Sequence, residues 1–197
     1  MRLLLPLVFT LLSIPALGQV AWEEVKSDSN VTVYTKQESG RAYKSFKAVG
    51  LVPAAPEDLL QVLEDVNSYN KWFAFSKSVR LLKNQKNEKH VYMETRFPWP
   101  FSNEDMVFIM SVNKSSNGDI KVSLSGRPDY IPTIAGVKRM RGANGYILLQ
   151  PADEYTLVTY EMNTELSGDI APWLANKYIH LMPFETLNSL IDIVAEI

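Results

Sequence analysis

Alternating apolar and polar residues along most of the chain predict a protein built mainly from β-strands. A period of two places successive side chains on opposite faces of a sheet, and β-branched and aromatic residues favour that conformation. The clearest runs are residues 31–35, 43–52, 79–84, 90–97, 106–114, 120–125, 137–151 and 155–166. Asn117-Gly118 predicts a hairpin between two of these runs. A bulge or bend is expected at residues 142–145.

Other segments show the spacing of helices. Pro56 suits a first helical position, and two acids follow it where the helix dipole favours negative charge. A second short helix is predicted over residues 69–75. From residue 170 onward a broad apolar stripe predicts a long C-terminal helix. Pro183 should kink or split that helix, because an interior proline costs about 3 kcal/mol.

The order of the elements predicts the fold class. It runs three strands, two short helices, six strands and one long helix, or about nine strands in all. Strands joined by short turns usually pair antiparallel. A long antiparallel sheet that curves round one amphipathic helix is an α+β arrangement, and a cavity can lie where the sheet curves away from the helix.

One loop displays apolar side chains instead of burying them. Pro98-Trp99-Pro100-Phe101, called the aromatic loop below, separates two predicted strands. Its prolines cannot continue a sheet ladder, because proline lacks the backbone N–H. Loops normally run through water, so a stiff loop with large apolar residues suits contact with an apolar partner.

The N-terminal residues predict an export signal. Met1-Arg2 precedes an almost wholly apolar stretch at residues 3–12, and Ala16-Leu17-Gly18 fits a signal-peptidase site. The stretch is shorter than the roughly 20 residues that a bilayer span requires, and an uncleaved anchor is the alternative. We therefore expect a signal peptide over residues 1–18, one domain over residues 19–197, and a periplasmic or secreted location.

Composition and charge exclude several classes of protein. Without residues 1–18, 19 basic and 22 acidic residues give a net charge of −3, whereas nucleic-acid binding needs a clustered positive surface. The chain has no cysteine, so disulfides, thiolate nucleophiles and zinc–thiolate sites are excluded. His90 and His180 have no metal-like spacing. With no nucleophile motif, phosphate-binding glycine loop or convincing acid–base pair, we expect no cofactor and no catalytic residue.

Three motifs resemble those of the START domain, the steroidogenic-acute-regulatory-related lipid-transfer family, and most of all its phosphatidylcholine-transfer branch. Residues 98–105, Pro-Trp-Pro-Phe-Ser-Asn-Glu-Asp, resemble the family's Pro-aromatic-Pro-x-Ser-Asn-Arg-Asp. Residues 136–139, Gly-Val-Lys-Arg, resemble its Gly-Val-x-Arg. Residues 168–176 resemble its Gly-x-Ile-Pro-x-Trp-Leu-x-Asn, with the proline shifted by one residue. The resemblance covers nearly the whole chain after residue 18, in order.

The resemblance implies a helix-grip fold, in which the curved sheet wraps round the C-terminal helix and encloses a cavity. It implies that the cavity binds a lipid or other hydrophobic small molecule, which the protein carries or transfers. We expect a monomer that makes transient contact with membranes. The motif's arginine is expected near the lipid phosphate in phosphatidylcholine carriers, and Glu104 stands in its place here. That reversal of charge argues against a phosphate contact at this position.

The strand before the aromatic loop allows two orientations. Tyr92, Glu94 and Arg96 share one of its faces. Periodicity alone favours an ordinary half-buried strand with this trio in water. The resemblance favours the opposite orientation, since cholesterol-carrying members have an arginine inside the tunnel at the Arg96 position. We adopt the second, with Arg96 donating to a lipid head group or carboxylate and Glu94 partly neutralising it.

Other candidate ligand contacts also have two interpretations. Trp99 and Phe101 can form a lid that dips into the membrane interface, or can pack on the C-terminal helix. Ile134 lies in a second apolar loop and is a weaker candidate for the same opening. Arg139 can form an internal ion pair with Asp105. The helix positions that are either core or cavity wall are Leu181, Phe184 and Leu187.

Together these features predict a carrier of hydrophobic ligands that works without covalent chemistry. One alternative is an enzyme of the cyclase or hydrolase type, which related helix-grip folds include. It would use cavity acids such as Glu94 or Glu161. The other alternative is a lipid sensor or interaction module whose own side chains fill the cavity, leaving no room for a ligand.

Overall fold

The computed structural model describes residues 21–195, so the predicted signal peptide lies outside the described range. Within it, the strands are β1 (Glu23–Ser27), β2 (Val31–Lys36), β3 (Ser45–Val52), β4 (Ser76–Gln85), β5 (Glu88–Thr95), β6 (Glu104–Lys114), β7 (Ile120–Gly126), β8 (Lys138–Arg139), β9 (Gly142–Ala152) and β10 (Tyr155–Glu165). The helices are α1 (Pro56–Glu64), α2 (Tyr69–Trp72), α3 (Pro172–Tyr178) and α4 (Leu181–Val194), with a 3-10 turn at Val66–Ser68.

The strands form one sheet in the order β1-β2-β3-β10-β9-β7-β6-β5-β4, with β8 beside β6. Each pairing is antiparallel except that of β8 with β6, which is parallel. The α+β prediction of one long antiparallel sheet is confirmed, with ten strands where about nine were expected.

The run predicted as one strand over residues 137–151 is two strands. β8 lies against β6, whereas β9 lies between β7 and β10, and the chain crosses between these places at residues 140–141. Of the bulge or bend expected at residues 142–145, the bulge is wrong, because β9 pairs in continuous register with β10, and the bend lies just before, at Arg141. Gly145 is required for a different reason. A Cβ there would lie 2.9 Å from the Cα of Met162 and closer still to the carbonyl oxygen of Glu161.

All three predicted helices are present, with changes in two of them. The second, predicted over residues 69–75, ends at Trp72. Pro56 is the first residue of α1, as predicted. The C-terminal helix is split, but the break lies at Ile179 and His180, between α3 and α4. Pro183 is the third residue of α4. It is tolerated there because the N–H groups of a first helical turn have no partner within the helix.

The core lies between the helices and one face of the sheet, called the inner face here; the opposite face is the outer face. α4 packs against β2 and β3. Leu187 of α4 is 2% exposed and lies beside Gly50 of β3, whose missing side chain leaves room for it. Alternate residues of each strand fill the inner face, and on β6 these include Met106 and Phe108.

Candidate ligand-binding site

A small apolar cavity lies on the inner face, between the sheet and α2. Its volume is about 20 Å³. Four of the seven methionines in the chain contribute to its wall, together with aromatic and aliphatic side chains. The lining residues are Tyr69, Phe73, Met93, Met106, Phe108, Met110, Leu124, Ile147, Tyr160 and Met162.

The cavity is too small for a lipid as it stands. A volume of about 10–15 Å³ accommodates one water molecule, and ligand pockets are typically about 300–1,000 Å³. A lipid can therefore enter only if the lining side chains move apart. Methionine is the side chain best suited to such repacking, because it is unbranched and has three rotatable bonds.

The two tyrosines in the wall bring no charge to the cavity. Tyr69 donates a hydrogen bond to the carbonyl oxygen of Leu63 and stacks on Phe73, with ring centroids 5.6 Å apart. Burial raises the pKa of Tyr69 and of Tyr160 well above the ordinary tyrosine value, which keeps both hydroxyls neutral. The wall is thus apolar over almost all of its surface.

Tyr92 and Glu94 of β5 lie on the outer face and Arg96 is exposed to solvent, so the adopted cavity-facing orientation is wrong. Met93 lines the cavity, and side chains alternate along a strand, so Tyr92 and Glu94 face away from it. Arg96 follows the end of β5 and is exposed. Periodicity alone had placed the trio in water, and this holds only for Arg96, since Tyr92 and Glu94 are buried on the outer face. The resemblance in sequence carried over an arginine whose side chain has a different orientation in this chain.

Glu94 has local partners on the outer face. It lies 2.9 Å from the ammonium of Lys77 and accepts a 2.7 Å hydrogen bond from the side chain of Asn103. Burial alone would raise the pKa of Glu94, but these two partners outweigh it and hold the pKa below its ordinary value. Glu161, the other acid considered for an enzyme, also faces outward and accepts a 3.0 Å hydrogen bond from Tyr146.

Arg139 forms the predicted ion pair with Asp105, also on the outer face. The remaining N–H groups of Arg139 donate to the carbonyl oxygens of Pro128, Ile131 and Pro132. The pair therefore holds the loop over residues 128–136 against the sheet, and Arg139 does not line the cavity. Tyr92 lies in the same cluster, where burial and the nearby Asp105 raise its pKa to about 12.

The aromatic loop exposes one of its two large side chains and packs the other. Trp99 is 92% exposed, so it does not pack on the C-terminal helix. Phe101 is half-buried against the core. Asn103 closes the base of the loop, since its side-chain oxygen accepts a hydrogen bond from the backbone N–H of Phe97 while its amide donates to Glu94. These contacts tie together the two ends of the loop, and Trp99 projects into solvent between them.

The other candidate contacts lie away from the cavity. Ile134 is 37% exposed in the loop held by Arg139. Leu181 is half-buried at the start of α4, Phe184 is buried beside the ammonium of Lys26, and Leu187 packs on β3. Phe184 and Leu187 belong to the core between α4 and the sheet, and none of the three helix residues lines the cavity.

Glu104 is the polar residue of the inner face that the ligand predictions omitted. It is fully buried, with one carboxylate oxygen 2.7 Å from the hydroxyl of Ser167 and the other 3.0 Å from its backbone N–H. Burial raises the pKa of Glu104 above its ordinary value, although the two hydrogen bonds oppose the shift. The charge reversal in the loop motif was the signal in the sequence that could have identified it.

None of the helices in residues 21–195 is long and apolar enough to cross a membrane. The same residues contain no cluster of three or more potential metal-binding side chains.

Three comparisons bear on the family of the chain. The family model of the START domain matches residues 10–196. An uncharacterised protein of Pseudomonas aeruginosa is 31% identical over 170 residues, which cover 86% of this chain and 84% of that protein. The phosphatidylcholine transfer protein of Bos taurus is 28% identical over 96 residues, or 48% of this chain and 45% of that protein.

A solved structure shows the same architecture. The crystal structure of the STAR-related lipid transfer protein of Xanthomonas axonopodis, fragment 25–204, is 32% identical to this chain. It superposes with a TM-score of 0.84 over 88% of this chain and 98% of that one. The START-like fold expected from the sequence motifs is confirmed. Because the family model extends over nearly the whole length, this chain belongs to the START domain family.

Proposed function

We propose that this protein binds a lipid or other hydrophobic small molecule between the inner face of the sheet and α2, and carries it between membranes. The observation that carries the proposal is the methionine-rich apolar cavity in a chain of the START family. The Xanthomonas axonopodis protein of similar fold is named as a STAR-related lipid transfer protein. The wall of the cavity is apolar and deformable, as binding of a lipid chain requires.

The energetics of such a carrier depend on shape more than on polarity. Moving a chain of about 15 methylenes into water costs on the order of 12 kcal/mol, at about 0.8 kcal/mol each. An apolar protein interior recovers most of that cost, so transfer from a membrane to the protein can be nearly neutral. The barrier then lies in separating the packed side chains.

The aromatic loop provides the contact with the membrane in this proposal. Tryptophan is favoured at the membrane interface, and Trp99 projects almost completely into solvent. Arg96, exposed at the start of the same loop, can pair with lipid phosphates at the surface instead of with a ligand in the cavity. The protein acts as a monomer and is exported, with residues 1–18 removed.

The decisive experiment is native mass spectrometry of the exported protein from its own host, with extraction of any bound molecule. A stoichiometric lipid adduct is expected, on a chain that begins at Gln19. An intact N-terminus would favour the uncleaved anchor. A matched pair of variants on β7 tests the site: Leu124→Phe fills the cavity, whereas Ser123→Phe adds the same ring to the outer face. The proposal requires loss of the adduct in Leu124→Phe alone.

The size of the cavity favours a second candidate function. A volume of about 20 Å³ fits an interaction or sensor module whose own side chains fill the core. A clean ligand-free mass, together with no uptake of lipid from vesicles, would favour that function. We infer that neither Glu94 nor Glu161, the acids considered for an enzyme, acts on a ligand in the cavity, since both lie on the outer face. Turnover that is lost on changing either acid would contradict this.

A further inference from the structure

Glu104 is a buried acid on the inner face of the sheet, just beyond the residues that line the apolar cavity. It lies on the inner face of β6, two residues before Met106, which lines the cavity. Its pairing partner on β5 is Thr95, two residues beyond Met93, another lining residue. On both β5 and β6, the inner-face position next to the cavity-lining residue is therefore at or beside Glu104.

Glu104 accepts hydrogen bonds but forms no ion pair within residues 21–195. Among the ion pairs of residues 21–195, none includes Glu104. Each of its oxygens accepts one hydrogen bond, both from Ser167. A carboxylate oxygen has room for a second donor, so the group can still accept hydrogen bonds. Burying a carboxyl group without a neighbouring cation costs free energy of folding. Binding of a ligand to the group would explain why the fold retains it.

The charges nearby are unfavourable to an anion. Asp105 and Asp169 are close enough to influence Glu104 electrostatically, and both are acids. Asp105 is neutralised by Arg139 and Asp169 by Lys138, at 3.1 Å, so neither cation is available to a ligand. A phosphate or carboxylate placed beside Glu104 would meet like charge in a desolvated site.

We propose that Glu104 forms the polar end of the ligand site and selects an uncharged lipid whose head donates a hydrogen bond, such as a hydroxyl. The carboxylate accepts from the hydroxyl while Ser167 holds it in place, and anionic heads are rejected by repulsion. A cationic ammonium would have to lose its hydration in an apolar site, which disfavours it relative to a hydroxyl. This assignment of the head group rests on the proposed function.

The test uses four radiolabelled probes with the same 16-carbon chain: hexadecanol, hexadecanoate, hexadecyl phosphate and hexadecylamine. Each is placed at low mole fraction in phosphatidylcholine vesicles at pH 8, and the fraction extracted by the protein is measured. Comparing a variant with the native protein for each probe cancels that probe's own preference for the vesicle. Glu104→Gln removes the charge with little change of shape, and Glu165→Gln removes an exposed charge two residues before Ser167 as the control.

The native protein is expected to extract hexadecanol in preference to both anions. Glu104→Gln should raise extraction of hexadecanoate and hexadecyl phosphate by about tenfold or more and change that of hexadecanol less than threefold. Glu165→Gln should change each by less than threefold. Equal gains for all four probes in Glu104→Gln, or a native preference for an anion or for hexadecylamine, would overturn the assignment and leave the carrier function standing. Failure to extract any probe would overturn both.

A second measurement does not depend on the variant folding. The carboxyl or carboxylate stretch of Glu104 should shift in the infrared difference spectrum when unlabelled hexadecanol is added to the native protein. Specific 13C labelling of glutamate identifies the band as a carboxyl signal, and hexadecane, with the same chain and no hydroxyl, is the control. A band that is unchanged by bound hexadecanol would contradict a hydrogen bond to Glu104.

Discussion

The guanidinium group of Arg139 holds both carboxylate oxygens of Asp105, with Nε 2.6 Å from Oδ1 and Nη2 3.2 Å from Oδ2. Asp105 is fully buried, so losing its partner would leave an uncompensated charge. Arg139→Ala should lower the free energy of unfolding by about 3–5 kcal/mol in urea denaturation. Lys138→Ala, at the exposed neighbouring position, is the control and should change it by less than about 0.5 kcal/mol. Similar small effects for both would contradict a structural role for the pair.

Gly145 provides a test of the sheet packing. A Cβ at this position would collide with the backbone of β10, so Gly145→Ala should cost more than about 2 kcal/mol of stability. Gly142→Ala on the same strand is the matched control, because its Cβ would meet only the side chain of Glu165, at 3.9 Å. Thermal denaturation of the two variants measures the difference. Equal melting temperatures would show that β9 and β10 are farther apart than described.

Trp99 should matter for membranes and not for folding. Because its side chain is 92% exposed, Trp99→Ala should leave the free energy of unfolding unchanged within about 0.5 kcal/mol. Losing a partly inserted ring should weaken binding to phosphatidylcholine vesicles by roughly tenfold. Tyr155→Ala removes another exposed ring, at the turn between β9 and β10, and should have no such effect in a vesicle sedimentation assay. Equal losses for both variants would indicate nonspecific adsorption.

Glu104 predicts a dependence of stability on pH. Burial raises its pKa in the folded state above the ordinary value of 4.5, so the folded protein retains a proton that the unfolded chain releases. Its contribution is therefore present at low pH and is lost as the pH rises from about 4.5 through the raised pKa. Relative to Glu104→Gln, the native protein should lose stability over that interval. Urea denaturation from pH 4 to 8 measures the difference in free energy of unfolding between the two proteins. The contributions of the titratable groups that both proteins share cancel in this difference. A difference that is constant with pH would contradict a raised pKa.

The sequence was sufficient for the features that depend on local pattern. The alternation of apolar and polar residues predicted the strands, and the loop motif indicated the family. Both signals depend only on residues that are neighbours in the sequence. The orientation of Arg96 was predicted wrongly because a motif specifies position along the chain but not the face of the strand. Leu181, Phe184 and Leu187 were correctly identified as an apolar stripe. Whether that stripe met a ligand or the sheet depended on how closely α4 approaches β3, where Gly50 permits contact.

The methionine-lined cavity has a consequence for delivery. The cavity measures only about 20 Å³, so the protein's own side chains fill most of the space between the sheet and α2. A lipid would have to displace these side chains. The contacts that they make with one another without the lipid would be lost, and this loss would offset part of the lipid's binding energy. Within the proposed function, this favours short residence times and ready unloading at an acceptor membrane over long-term storage of the cargo.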